Sequence, residues 1–145
     1  MNTSGLDIDR IKQNVVEYWQ SEAWNWPVKV ISAGRGSALG ASAGRVLAVS
    51  GYVTSEKFVR GRSLDQVEKI LGLLPGELKN GAVVLRLNVL PLPHQFELRG
   101  YTQTPGGEPY SPGGLYPPGL GANQWELKAN IPATVWKVVP AGQRL

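Results

Sequence analysis

The sequence predicts an α+β fold: a small, mainly antiparallel β-sheet core with an N-terminal helix and one short inserted helix. Three observations predict it. Ile11, Val15 and Trp19 recur every four residues, the spacing of one apolar helical stripe. Ser63 and Gln66 stand at capping-box spacing before a second stripe of Leu64, Val67, Ile70 and Leu71, and Gly72 stops it. Elsewhere, short alternating runs are separated by turns drawn from 18 Gly and 11 Pro, the pattern of strands with one buried face. A helix followed by strands with one inserted helix is the order of an α+β domain.

Taken in order, Ser4 caps the first helix, with Asp7 and Asp9 in the first turn where the dipole favours negative charge. The stripe runs to about Gln20. Trp24, Trp26 and Pro27 end it, and Trp19, Trp24 and Trp26 are assigned to the core. Val28 to Ile31 reads as a strand. In residues 33–45, Gly34, Gly36 and Gly40 superficially resemble a dinucleotide-binding loop, but no strand–helix–strand unit or ribose-binding acid follows. What remains is Arg35 on a flexible backbone, able to hold a phosphate with its fork; a plain exposed turn is the other reading. Val46 to Val53 reads as a strand. Arg60 and Arg62 precede the second helix, on the side where a helix end favours anions. Asn80-Gly81 is a turn signal. Val83, Leu85, Leu87 and Val89 then alternate with Val84, Arg86 and Asn88 up to LPLP, and His94 lies in the connection beyond. Glu97 to Thr102 is a further candidate strand. After residues 124–130 come a break at Pro132 and a last strand, 134–139, with Val135 and Trp136 in the core. Residues 1–27 form an N-terminal helical segment and residues 28–145 a β-rich domain, together one compact unit.

Residues 105–127, PGGEPYSPGGLYPPGLGANQWEL, are the longest Gly/Pro-dense run. Such a run cannot be a helix and would break a sheet interior. It reads as a long shaped loop, since Tyr110, Tyr116 and Trp125 in and beside it are residues that seldom populate disordered linkers. A surface loop without a role is the alternative. It delivers a strand in which Gln124 and Glu126 share one side and Trp125 and Leu127 the other.

Composition narrows the chemistry. With 145 residues, 42% apolar and 18% charged, one globular domain is expected. No apolar run approaches a membrane span, and the start carries no basic-then-apolar signal, so no membrane partner is expected. Zero Cys excludes disulfides, thiolate zinc sites and Cys nucleophiles, and the single His excludes a multi-His metal site. No metal cofactor is expected. The net charge of +4 suits an acidic ligand, a nucleic acid or an acidic protein without choosing among them. One His and no nucleophile elbow leave little room for a Ser-His-Asp triad.

The remaining set is arginines after Gly-rich turns and a Gln-x-Glu opening a strand. Arginines hold a pyrophosphate, and an amide or carboxylate stabilises an oxocarbenium-like ribose. Cleavage of the nicotinamide–ribose bond of NAD needs that combination. Four separated pieces carry a resemblance. Arg35-Gly36-Ser37-Ala38-Leu39-Gly40 is similar to an Arg-x-Gly-x-x-x-Gly element, one residue shorter. Arg62-Ser63-Leu64 resembles Arg-x-Leu-Pro-Pro without its prolines. Val89-Leu90-Pro91-Leu92-Pro93 resembles a strand end before a long loop. Pro118-Gly119-Leu120-Gly121-Ala122-Asn123-Gln124-Trp125 resembles Pro-Gly-Gly-Gly-x-Gln-aromatic. In this order they resemble the tuberculosis necrotizing toxin family, NAD-glycohydrolase domains at the C-termini of secreted bacterial toxins. The family's tyrosine has no counterpart (Ala43 lies near its place), and its strand histidine would fall near Val84.

The resemblance implies Arg35 and Arg62 on the NAD phosphates and Gln124 beside the scissile ribose. It implies delivery as part of a larger secreted bacterial protein, action in the target-cell cytoplasm and a cognate immunity protein. Gln124-Trp125-Glu126 equally resembles the Gln-x-Glu of ADP-ribosyltransferases, in which Glu126 would be the catalytic carboxylate and Gln124 would address an acceptor macromolecule. A ribonuclease toxin using His94 as general base and a non-enzymatic binding module are the readings outside NAD chemistry.

Overall fold

A computed structural model describes residues 8–98 and 124–145. The loop of residues 105–123 with Tyr110 and Tyr116, the Ser4 cap with Asp7, and the far end of the strand expected over 97–102 lie outside these residues. The fold is α+β, with a mainly antiparallel sheet. In chain order the elements are helix α1 (Ile8–Ser21), a 3₁₀ turn (Ala23–Asn25), strand β1 (Pro27–Ser32), helix α2 (Ala33–Ala38), strand β2 (Val46–Ser55) and helices α3 (Glu56–Val59) and α4 (Leu64–Leu71). Strand β3 (Gly81–Leu87), a second 3₁₀ turn (Pro93–Gln95), strand β4 (Phe96–Leu98) and strand β5 (Gln124–Pro140) complete it. Among the described residues no helix is long and apolar enough to cross a membrane.

The strands order as β2-β1-β3-β5-β4, and β2 also pairs with β5, so the sheet curls back on itself. Every described pairing is antiparallel. Alternation along β1 and β3 divides their side chains between two cores. Ile31, Val83, Leu85 and Leu87 join Trp19, Phe96 and Trp125 in one. Val28, Ala82 and Val84 join Val67 and Leu71 of α4 in the other. The Ile11, Val15 and Trp19 stripe of α1 lies against the first core, with Trp19 fully buried.

Several features depart from the sequence expectations. The glycine-rich stretch begins as helix α2, because the Ser32 hydroxyl accepts from the Arg35 amide and caps it. Gly36 permits the helix to sit on β3, since a Cβ there would come within 2.6 Å of Val83 Cγ2. Strand β5 does not stop at Pro132 but continues to Pro140, passing from β2 to β3 as it goes. Bulges interrupt its register between Val49 and Gly51 on the β2 side and between Val84 and Leu85 on the β3 side, and irregular ladders tolerate proline. Val135 is buried, whereas Trp136, its neighbour on the opposite face of the strand, is 38% exposed. Trp24 is 47% exposed and lies under the Arg60 guanidinium instead of in the core.

Candidate functional site

The site arises where β1 and β2 separate. They pair only at Pro27↔Ser55 and Val28↔Thr54, whereas β2 pairs with β5 from Val46 to Thr54. From Lys29 onward β1 has no β2 partner, and a cleft opens between the two strands. Gly51 sits at the register shift of β2 with φ +76°, a left-handed conformation that suits glycine. The larger lobe of the cleft is a cavity of about 340 Å³, lined by the β1 edge with Arg35, Tyr52, Thr54, Glu77 and Gln124. A smaller lobe of about 170 Å³ shares Lys29, Ile31 and Arg35 with it. The larger volume falls within the range of small-molecule sites, roughly 300–1,000 Å³.

Gln124 opens β5 opposite Thr54 and is buried. Its Nε2 donates to the Leu71 carbonyl at 2.8 Å, tying the strand to the last residue of α4. The side-chain amide is thus held on the cavity wall by a neutral partner. Arg35 reaches the same cavity from α2. These two sequence-derived residues converge.

The other two lie elsewhere. Glu126 follows Gln124 on the same side of β5, but its carboxylate pairs with Lys128 at 3.1 Å. The hydrogen bond and charge of Glu126 raise the Lys128 pKa. Arg62 donates from Nε to the Phe58 carbonyl at 2.7 Å, closing the turn from α3 to α4, and does not line the cavity that holds Arg35. The capping box of the Ser63 helix forms as expected, and Gly72 caps its end at φ +69°. His94 is exposed and lines a separate depression with Lys12 and Glu97, which form an ion pair at 3.2 Å. Among the described residues no cluster of three His, Asp or Glu is arranged for a metal ion.

Sequence reasoning passed over Lys29. In PVKVIS it is one polar residue of a short strand, and nothing local marks it. In the fold its Nζ crosses the cleft to donate to the Tyr52 carbonyl at 3.1 Å. Burial first, then the nearby Arg35 charge, lowers its pKa to about 8.

Among known proteins, the chain matches no family model, no curated protein and no solved structure.

Proposed function

We propose that this domain consumes NAD, cleaving the nicotinamide–ribose bond as the toxic or effector portion of a larger secreted bacterial protein. What carries the reading is the meeting of Gln124 and Arg35, distant in sequence, on the wall of one cavity. An arginine fork matches a diphosphate. A fixed amide is suited to orient the ribose as positive charge develops at its anomeric carbon. In the reaction the C1′–N bond breaks, nicotinamide leaves with the bonding pair, and water adds to C1′ and loses a proton to solvent. Glu126 is absent from the cavity wall that carries Gln124 and Arg35, which favours this hydrolytic route over transfer to an acceptor, a reaction that would draw on the Glu126 carboxylate. By the same resemblance the domain acts in the target-cell cytoplasm and is neutralised by a cognate immunity protein.

The test is incubation with NAD, with and without acceptor proteins. Nicotinamide released with free ADP-ribose supports hydrolysis. A labelled acceptor supports the transferase reading, and intact NAD overturns both. Gln124→Ala is expected to lower turnover about a hundredfold, the range for loss of one preorganised polar group. Its lost bond to Leu71 should cost only about 1 kcal/mol of stability. A folded variant with full turnover would remove Gln124 from the mechanism.

The two arginines should separate in the same assay. Arg35→Ala is expected to weaken NAD binding about tenfold or more, as loss of a charged hydrogen bond does. Arg62→Ala should leave affinity unchanged, because its guanidinium serves Phe58. Equal losses of affinity in the two variants would contradict this division.

A further inference from the structure

We propose that Lys29 joins Arg35 as the second cation of an anion subsite in the cleft between β1 and β2, taking the phosphoanionic part of a nucleotide. The inference rests on the NAD reading only for the identity of that nucleotide.

Three observations point to it. Both side chains line both lobes of the cleft, so their charges face the same space. Neither forms an ion pair among the described residues, whose salt bridges are Lys12–Glu97 and Lys128–Glu126. The fold also makes room for the ammonium: Lys29 Nζ lies against Gly51, where a Cβ would stand 3.3 Å from it. Two like charges sharing a partly buried cavity oppose folding, and a bound anion relieves both the repulsion and the desolvation.

Among the described residues, the charged and titratable groups facing this space are Arg35 from α2, Tyr52 from β2 and Glu77 from the segment between α4 and β3. With its pKa lowered to about 8, Lys29 is charged in the empty site at neutral pH and loses its proton as pH rises past that value. A bound anion favours the ammonium, so the pKa rises on binding. Affinity is therefore highest below about pH 8 and declines above it, where binding must also take up a proton.

The experiment is calorimetric titration at about pH 7 and about pH 9 with two probes that keep a constant charge over that range. ADP-ribose reads the nucleotide, and inorganic sulfate reads the anion subsite alone. Wild-type protein is expected to bind both, about tenfold more weakly at the higher pH. Lys29→Met should bind each at least tenfold more weakly near neutrality and lose the pH dependence. Since that variant removes a desolvated charge, its thermal stability should not fall, which separates lost binding from misfolding. Lys29→Arg should retain binding near neutrality with a flat profile, because arginine does not titrate there.

Wild-type affinity in Lys29→Met, a flat wild-type profile or no binding of either probe would overturn the proposal. Proton-linked sulfate binding without NAD turnover would uphold the subsite and refute the NAD reading. NAD turnover with an unchanged KM in Lys29→Met would do the reverse.

Discussion

Gly81→Ala is expected to destabilise the fold by about 4 kcal/mol, from backbone strain together with a clash that rigid groups cannot relieve. Gly81 opens β3 at φ +112°, where L side chains are strained. A Cβ there would lie 2.5 Å from the Val139 carbonyl oxygen and 3.3 Å from the Ala141 nitrogen. Both neighbours are backbone, and the adjacent ladder pairs Gly81 with Pro140 and Ala82 with Val139. Relief would require β3 and β5 to part. Since β3 also carries β1 in register, Lys29 opposite Leu85 and Ser32 opposite Ala82, the disturbance would reach the cleft. Denaturant unfolding is the measurement, and a loss under about 1 kcal/mol would show that the ladder yields more readily than its geometry indicates. Against a typical total of roughly 5–15 kcal/mol, the expected loss leaves little margin.

Trp125→Ala should cost a similar amount, about 3–5 kcal/mol, the range for deleting a large buried aromatic. Trp125 stands between Gln124 and Glu126 on β5 with its ring on the opposite face, 1% exposed. It meets Trp19 of α1 edge-on, with centroids 5.1 Å apart, and Tyr18 at 6.3 Å. Trp19 in turn packs on Phe96 of β4 at 5.1 Å. The indole therefore holds the N-terminal helix to the start of the strand that presents Gln124. Its Nε1–H is buried without a hydrogen-bond partner among the described residues. Trp125→Phe removes that unsatisfied donor while keeping a ring, so it should cost about 1 kcal/mol. Thermal melts of the two variants test this; equal losses would mean that the indole's full width, not an aromatic ring as such, secures α1.

The elements legible in the sequence are those specified over a few residues. The Ser63–Gln66 box closes with bonds of 3.0 and 3.3 Å, and Gly72 takes the left-handed cap, because both devices act within one turn of backbone. The α1 stripe and the alternation opening β5 follow likewise from side-chain period, as does the placing of Gln124 and Glu126 on one side. Tertiary structure decided what those residues meet. Arg35 and Arg62 each stand next to glycine in the sequence, yet only Arg35 faces the cleft, because Arg62 finds the Phe58 carbonyl four residues back. Glu126 has the same strand phase as Gln124, but Lys128 takes its carboxylate. Trp24 and Trp136 read as core and are exposed, Trp24 in a 3₁₀ turn and Trp136 on the face of β5 opposite the buried Val135. The cleft itself has no local signature. It exists because β1 and β2 stay paired over only two residues while β2 is paired with β5 from Val46 to Thr54, and that splaying belongs to long-range packing, as does the setting of Lys29 against Gly51.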